Sequence, residues 1–106
     1  NMKRGLKNNT FENYKYMSEK KEVIGIFTNI KDVDTMEKFF GEIFTPSEIK
    51  TIVLRWQLMK MVNQKVPQRD VASKLGISLC KITRGAKILK DPDSVSSKLL
   101  NKKKFN

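Results

Sequence analysis

The chain contains no histidine and a single cysteine, Cys80. Without histidine, the commonest general acid–base group is missing. No serine or cysteine has a base partner in a recognisable pattern, and the acidic residues form no metal-type cluster. Asp91 and Asp93 flank Pro92, an arrangement of turn formers. A small recombinase or nuclease therefore finds no support, and no enzyme is expected. One cysteine cannot form an intramolecular disulfide, which suits a reducing cytoplasm. Cys80 precedes Lys81 near a predicted helix start. It is read here as a small apolar contact. No run approaches the ~20 apolar residues of a membrane span. The first residues lack a signal-peptide pattern, and Asn1 ahead of Met2 reads as an expression remnant. No segment shows strand period, so the expected class is all-α with about six helices.

What is abundant is positive charge. Among 106 residues, Lys and Arg number 22 against 11 acidic residues, a formal net charge of +11. Such an excess suits a polyanionic partner, because each phosphate neutralised releases counterions. Apolar residues make up 39% and charged ones 31%, a globular balance. An RNA-binding or scaffold module would need aromatic platforms, and Phe11, Tyr14 and Tyr16 are better explained as helix contacts.

The stretch Gln68–Lys90, QRDVASKLGISLCKITRGAKILK, organises the chain. Val71 and Leu75 fall at i, i+4, so both face one core. Ala72 is small where a second helix must cross. Gly76 can take φ > 0 and end the first helix without a Cβ penalty. Ile77 fills the corner, Ser78 is placed to cap the next helix, and Ile82 anchors that helix to the same core. This is helix-turn-helix spacing. The alternative is an ordinary helical hairpin whose glycine merely ends a helix, but the joint offsets and the basic charge favour DNA binding. Leu79, Cys80, Lys81 and Thr83 then face base edges in the major groove. Gln68, Arg69, Ser78, Lys87 and Lys90 complete the candidate DNA-contact set, with Lys90 on phosphate.

Elsewhere, residues 1–9 read as a flexible basic arm ahead of a single helical domain over 10–106. A helical pattern runs from Thr10 to Thr28. Asp34 and Glu37 have capping-box spacing for a short helix burying Met36, Phe39 and Phe40. Thr45-Pro46-Ser47-Glu48 is the clearest helix start, with Thr45 as N-cap, Pro46 at the first helical position and Glu48 reaching back. The following helix of roughly 18 residues carries Ile49, Ile52, Val53, Trp56, Met59 and Val62 as an apolar stripe. Asn63 to Pro67 forms a turn, and Ser94 to Leu100 a final short helix. The apolar surface outside the motif exceeds what two short helices can cover. Homodimerisation is expected, which also suits two half-sites about one DNA turn apart.

At FTPSE, Arg55 and ITRGAKILK, the chain resembles the bacterial tryptophan repressor family. That repressor is itself a standard example of the docking geometry invoked above. The resemblance covers about Val23 to Leu100. It implies an intertwined helical homodimer that binds L-tryptophan as corepressor and then an operator controlling tryptophan-related genes. It also implies site residues. Arg84 corresponds to the arginine meeting the ligand carboxylate and one indole face, and Arg55 to the arginine on the other face. Thr45 corresponds to a threonine near the carboxylate, supplied with backbone carbonyls around Phe44 by the partner subunit. Gly85 corresponds to the glycine leaving room for the ring. Guanidinium planes suit both tasks, stacking on rings and pairing bidentately with carboxylates. From the residues alone, Arg84 would be assigned to DNA phosphate, Thr45 to capping and Arg55 to the surface.

The chain departs from the family in three places. Ile88 replaces a serine that helps hold the ligand ammonium. The segment Arg55 to Gln68 is one residue shorter, placed in the turn around 63–66; a deletion inside the helix would instead rotate Arg55 about 100° from the pocket. Ala72 replaces a lysine and Lys81 a threonine, which implies a related but different operator. Relatives that share the fold without a tryptophan response give the competing expectation.

Overall fold

The computed structural model describes residues 10–102; the arm expected over residues 1–9 lies outside them, as do residues 103–106. The described residues form six α-helices and no strand: α1 Thr10–Asn29, α2 Val33–Ile43, α3 Pro46–Asn63, α4 Gln68–Leu75, α5 Leu79–Lys90 and α6 Val95–Asn101. The expected helical class and helix number are those observed. The chain divides between Phe44 and Thr45 into two compact units, each described by itself.

In the first unit, α1 runs unbroken through the charged SEKKE stretch. The α2 start differs from the Asp34/Glu37 expectation. Asp32 is the N-cap, accepting the Thr35 backbone N–H at 2.8 Å and the Thr35 hydroxyl at 2.7 Å. Asp34 lies one residue inside the helix, where its carboxylate faces the positive end of the helix dipole. At Asp32, Thr35 offers two donors to one carboxylate oxygen, its backbone N–H and its hydroxyl. Phe27 of α1 meets Phe39 and Phe40 edge-on, at centroid distances of 5.2 and 5.9 Å, and stacks on Phe44 at 6.1 Å. Neither helix contains a fully buried residue. Phe11, Tyr14, Met17, Ile24 and Val33 remain exposed.

In the second unit, the start of α3 is as the sequence dictates. Glu48 N–H donates to Thr45 Oγ1 at 3.1 Å and Thr45 N–H donates to Glu48 Oε1 at 2.9 Å, with Pro46 behind them. The core is Leu58, Val71 and Ile82, with Met59, Met61, Val62, Val66, Ala72, Leu75 and Ile77 around it. The expected stripe along α3 omitted Leu58, the one fully buried residue of that helix. Val53 and Trp56, which it included, are 49% and 41% exposed. The reason is that α3 is apolar on more than one side, so periodicity alone does not select the inner face.

Gly76 closes α4 at φ 65°, its N–H donating to Ala72 O at 2.8 Å. Ser78 occupies the N-cap position of α5 but makes no side-chain cap hydrogen bond. Ser94 does cap α6, accepting Ser97 N–H at 3.0 Å. Between α3 and α4, Lys65 takes φ 69°, a left-handed residue that absorbs the tight turn. Asn63 and Asn101 exchange amide hydrogen bonds at 3.0 and 3.2 Å, joining the ends of α3 and α6.

Candidate functional site

Arg55 and Leu58 lie three residues apart on α3, and Lys81 and Arg84 three apart on α5, so each pair shares a helix face. These faces meet. Arg55, Leu58, Met59, Lys81, Arg84 and Gly85 line one cleft of about 50 Å³. The crossing is close because Gly85 has no side chain. A Cβ there would sit 2.5 Å from Leu58 Cδ1. Within this chain, the space Gly85 leaves is occupied by Leu58, whereas the resemblance assigned that space to an indole ring.

The cleft holds three cations and no carboxylate. None of Arg55, Lys81 and Arg84 makes an ion pair among the described residues. Like charges held around one small volume repel, and an anion placed among them relieves that repulsion. The arrangement is chemically an anion-binding cleft with an apolar floor. Helix α3 is continuous to Asn63 and the irregular backbone lies at Lys65. Arg55 lines the cleft together with Arg84.

Arg84 also lines a second, wider cleft of about 460 Å³ with Lys87, Ile88, Asp91, Ser94, Val95 and Ser96. Ile88 therefore lines the wider cleft with Arg84 and not the Arg55 cleft. Thr45 lines neither, and its hydroxyl is engaged by Glu48. Phe44 belongs to the first unit, where it packs on Phe27 and Phe40. Of the candidate ligand residues, the structure thus gathers Arg55, Arg84 and Gly85 in one place and Ile88 with Arg84 in another.

The DNA candidates Gln68, Arg69, Ser78, Leu79, Cys80, Lys81, Thr83, Lys87 and Lys90 are all exposed. Gln68 and Thr83 approach across the two helices, Thr83 Oγ1 lying 3.5 Å from Gln68 Oε1. The N-terminal turn of α5 receives no side-chain cap hydrogen bond from Ser78. Arg69, Lys74, Lys81, Arg84, Lys87 and Lys90 stand against Asp70 alone over α4 and α5. Such a surface favours phosphate.

Sequence reasoning missed two features of the Arg55 cleft. Lys81 was read only as a DNA candidate, although its i, i+3 relation to Arg84 was a signal that both share a helix face. Leu58 carried no local signal.

A family model for the Trp repressor protein matches residues 18–104. The chain belongs to the Trp repressor family. It is 39% identical over 70 residues to a Trp operon repressor homolog of Xylella fastidiosa (strain M23), covering 65% of this chain and 76% of that protein. A Trp operon repressor homolog of Chlamydia trachomatis serovar D is 32% identical over 71 residues, covering 62% and 76%. One from Actinobacillus succinogenes is 37% identical over 60 residues, covering 54% and 59%. No solved structure matches the chain significantly. Family membership supports a transcriptional repressor. No helix among the described residues is long and apolar enough to cross a membrane.

Proposed function

We propose that the protein is a homodimeric, sequence-specific DNA-binding repressor, switched on by L-tryptophan or a closely related small ligand and acting on tryptophan-related genes. One observation carries this reading: Arg55 from α3 and Arg84 from α5 converge on one cleft, and α5 also presents the exposed Leu79, Cys80, Lys81 and Thr83. A ligand held between the two arginines braces the α4–α5 head against α3. The head is then fixed at the spacing of successive major grooves.

The exposed apolar residues of α1 and α2, with Val53 and Trp56 on α3, support homodimerisation, since a monomer would leave them in water. In this reading Thr45 serves the ligand carboxylate from the partner subunit, while the backbone carbonyls around Phe44, being acceptors, suit the ligand ammonium. Lys87 and Lys90 serve phosphates, and Gln68, Arg69 and Ser78 the backbone flanking the reading helix.

Linkage makes the mechanism testable, because DNA must then raise ligand affinity by the factor by which ligand raises DNA affinity. The decisive experiment is calorimetric titration of L-tryptophan into the wild-type protein and Arg84→Ala. Saturable binding, lost in the variant and accompanied by tighter operator binding, is expected. A second reading, DNA binding without a tryptophan response, is favoured by Ile88, which lines the wider cleft beside Arg84 and offers no acceptor to a ligand ammonium. Under it the free protein binds operator tightly and millimolar L-tryptophan changes nothing.

A further inference from the structure

One face of α1 is grooved. Tyr14, Met17, Ser18, Lys20, Lys21 and Ile24 line a hollow of about 480 Å³, and all six are exposed. Their spacing identifies its shape. Tyr14, Met17, Ser18 and Lys21 stand at i, i+3, i+4 and i+7, and Met17, Lys20, Lys21 and Ile24 repeat that spacing three residues on. Four residues so spaced form the hole into which a facing helix inserts one side chain. The hollow is two such holes in succession, the surface one helix presents to another.

Charge selects the occupant. Lys20 and Lys21 both border the second hole, and no lining residue is acidic. No acidic residue lies three or four places from either lysine, and neither makes an ion pair among the described residues. A second copy of α1 would bring two more lysines to the same seam, where facing like charges disfavour pairing. We propose that this face of α1 docks an acidic amphipathic helix of another protein. Apolar side chains of that helix enter the two holes, and its flanking carboxylates meet Lys20 and Lys21.

This surface is separate from the effector and DNA readings. It begins ahead of residue 18, where the family match starts, so family membership gives Tyr14 and Met17 no role. Tyr14 is the anchor: it is 78% exposed, and an aromatic ring brings the most area to such a contact. Met17 adapts its unbranched chain to the side chain that enters beside it. Residues 14–24 span about 15 Å of helix. So short a seam suits a reversible contact rather than a permanent one.

The test uses the full chain and two designed helical peptides with the same leucines at the inserting positions. One carries glutamate beside them and the other lysine, and fluorescence anisotropy reads binding. The glutamate peptide should bind at least about tenfold more tightly than the lysine peptide. Tyr14→Ala should weaken it about tenfold, and the double variant Lys20→Glu, Lys21→Glu should invert the preference. These side chains are exposed, so melting temperature and oligomeric mass should stay at wild-type values. Glutamate-peptide binding that ignores both variants would place it elsewhere on this basic chain and overturn the proposal. Equal binding of both peptides, or of neither, would overturn it too. A fall in oligomeric mass in Tyr14→Ala would make the face a contact between copies of this chain instead.

Discussion

Gly85 and Leu58 interlock where α3 and α5 cross: a Cβ on Gly85 would approach Leu58 Cδ1 to 2.5 Å, and Leu58 is only 2% exposed. The buried leucine has little room to move aside. Gly85→Ala is therefore an overpacking change, expected to cost about 1–3 kcal/mol despite the better helix propensity of alanine. Urea denaturation measures it. Combined with Leu58→Ala, which opens space, the two effects should sum to less than their separate costs. Simple additivity would show that the two residues do not touch.

Lys81 sits in the cleft with Arg55 and Arg84 and is also exposed on α5. Lys81→Met removes one of three mutually repelling charges. The free protein should keep or gain stability, while L-tryptophan binds several-fold more weakly and with a flatter salt dependence. Thermal melts and calorimetry at two ionic strengths check this. Unchanged ligand affinity alongside altered operator preference would confine Lys81 to DNA.

In the proposed function Thr83 reads bases and Lys90 binds phosphate, so their variants should behave differently. Thr83→Ala removes the hydroxyl that lies 3.5 Å from Gln68 and faces solvent on α5. It should weaken operator binding and alter operator preference, with little change in ligand affinity. Lys90→Ala should weaken all DNA sequences alike, and the slope of log affinity against log salt should become shallower by roughly one unit. A change in preferred operator in Lys90→Ala would contradict its assignment to phosphate.

The Asp32 carboxyl is held below its ordinary value, first by the Thr35 hydroxyl and then by the Thr35 backbone N–H, with burial opposing weakly. A lowered folded-state value means that the unfolded chain takes up the proton first. The cap's contribution is thus complete above the unfolded pKa, near 4, and disappears as pH falls through the lower folded value. Thermal melts from pH 6 down to pH 2 should show a shallower acid-side decline for Asp32→Asn than for wild type. Parallel curves would mean that this cap does not couple to pH.

Much of the architecture was legible because its causes are local. The reciprocal Thr45–Glu48 bonds, Pro46 at the helix start and the left-handed Gly76 each depend on chemistry within about one helical turn. The core pair Val71 and Ile82 followed from spacing in the same way. Local competition produced one error. Asp32 and Asp34 both precede helical residues, and only the position of Thr35 favours Asp32.

By itself, then, the sequence determined the helical class, most helix boundaries, the basic character of α4 and α5 and the family, since each is set by residue type and short-range order. Tertiary structure decided which side of α3 is inside, making Leu58 the partner of Gly85 and leaving Val53 and Trp56 outside. It also moved Lys81 into the cleft of Arg55 and Arg84 and set Ile88 in the wider cleft with Arg84. The physical reason is that a helix apolar on several sides, or cationic along one face, offers several equivalent contacts. Only the helix that crosses it selects among them.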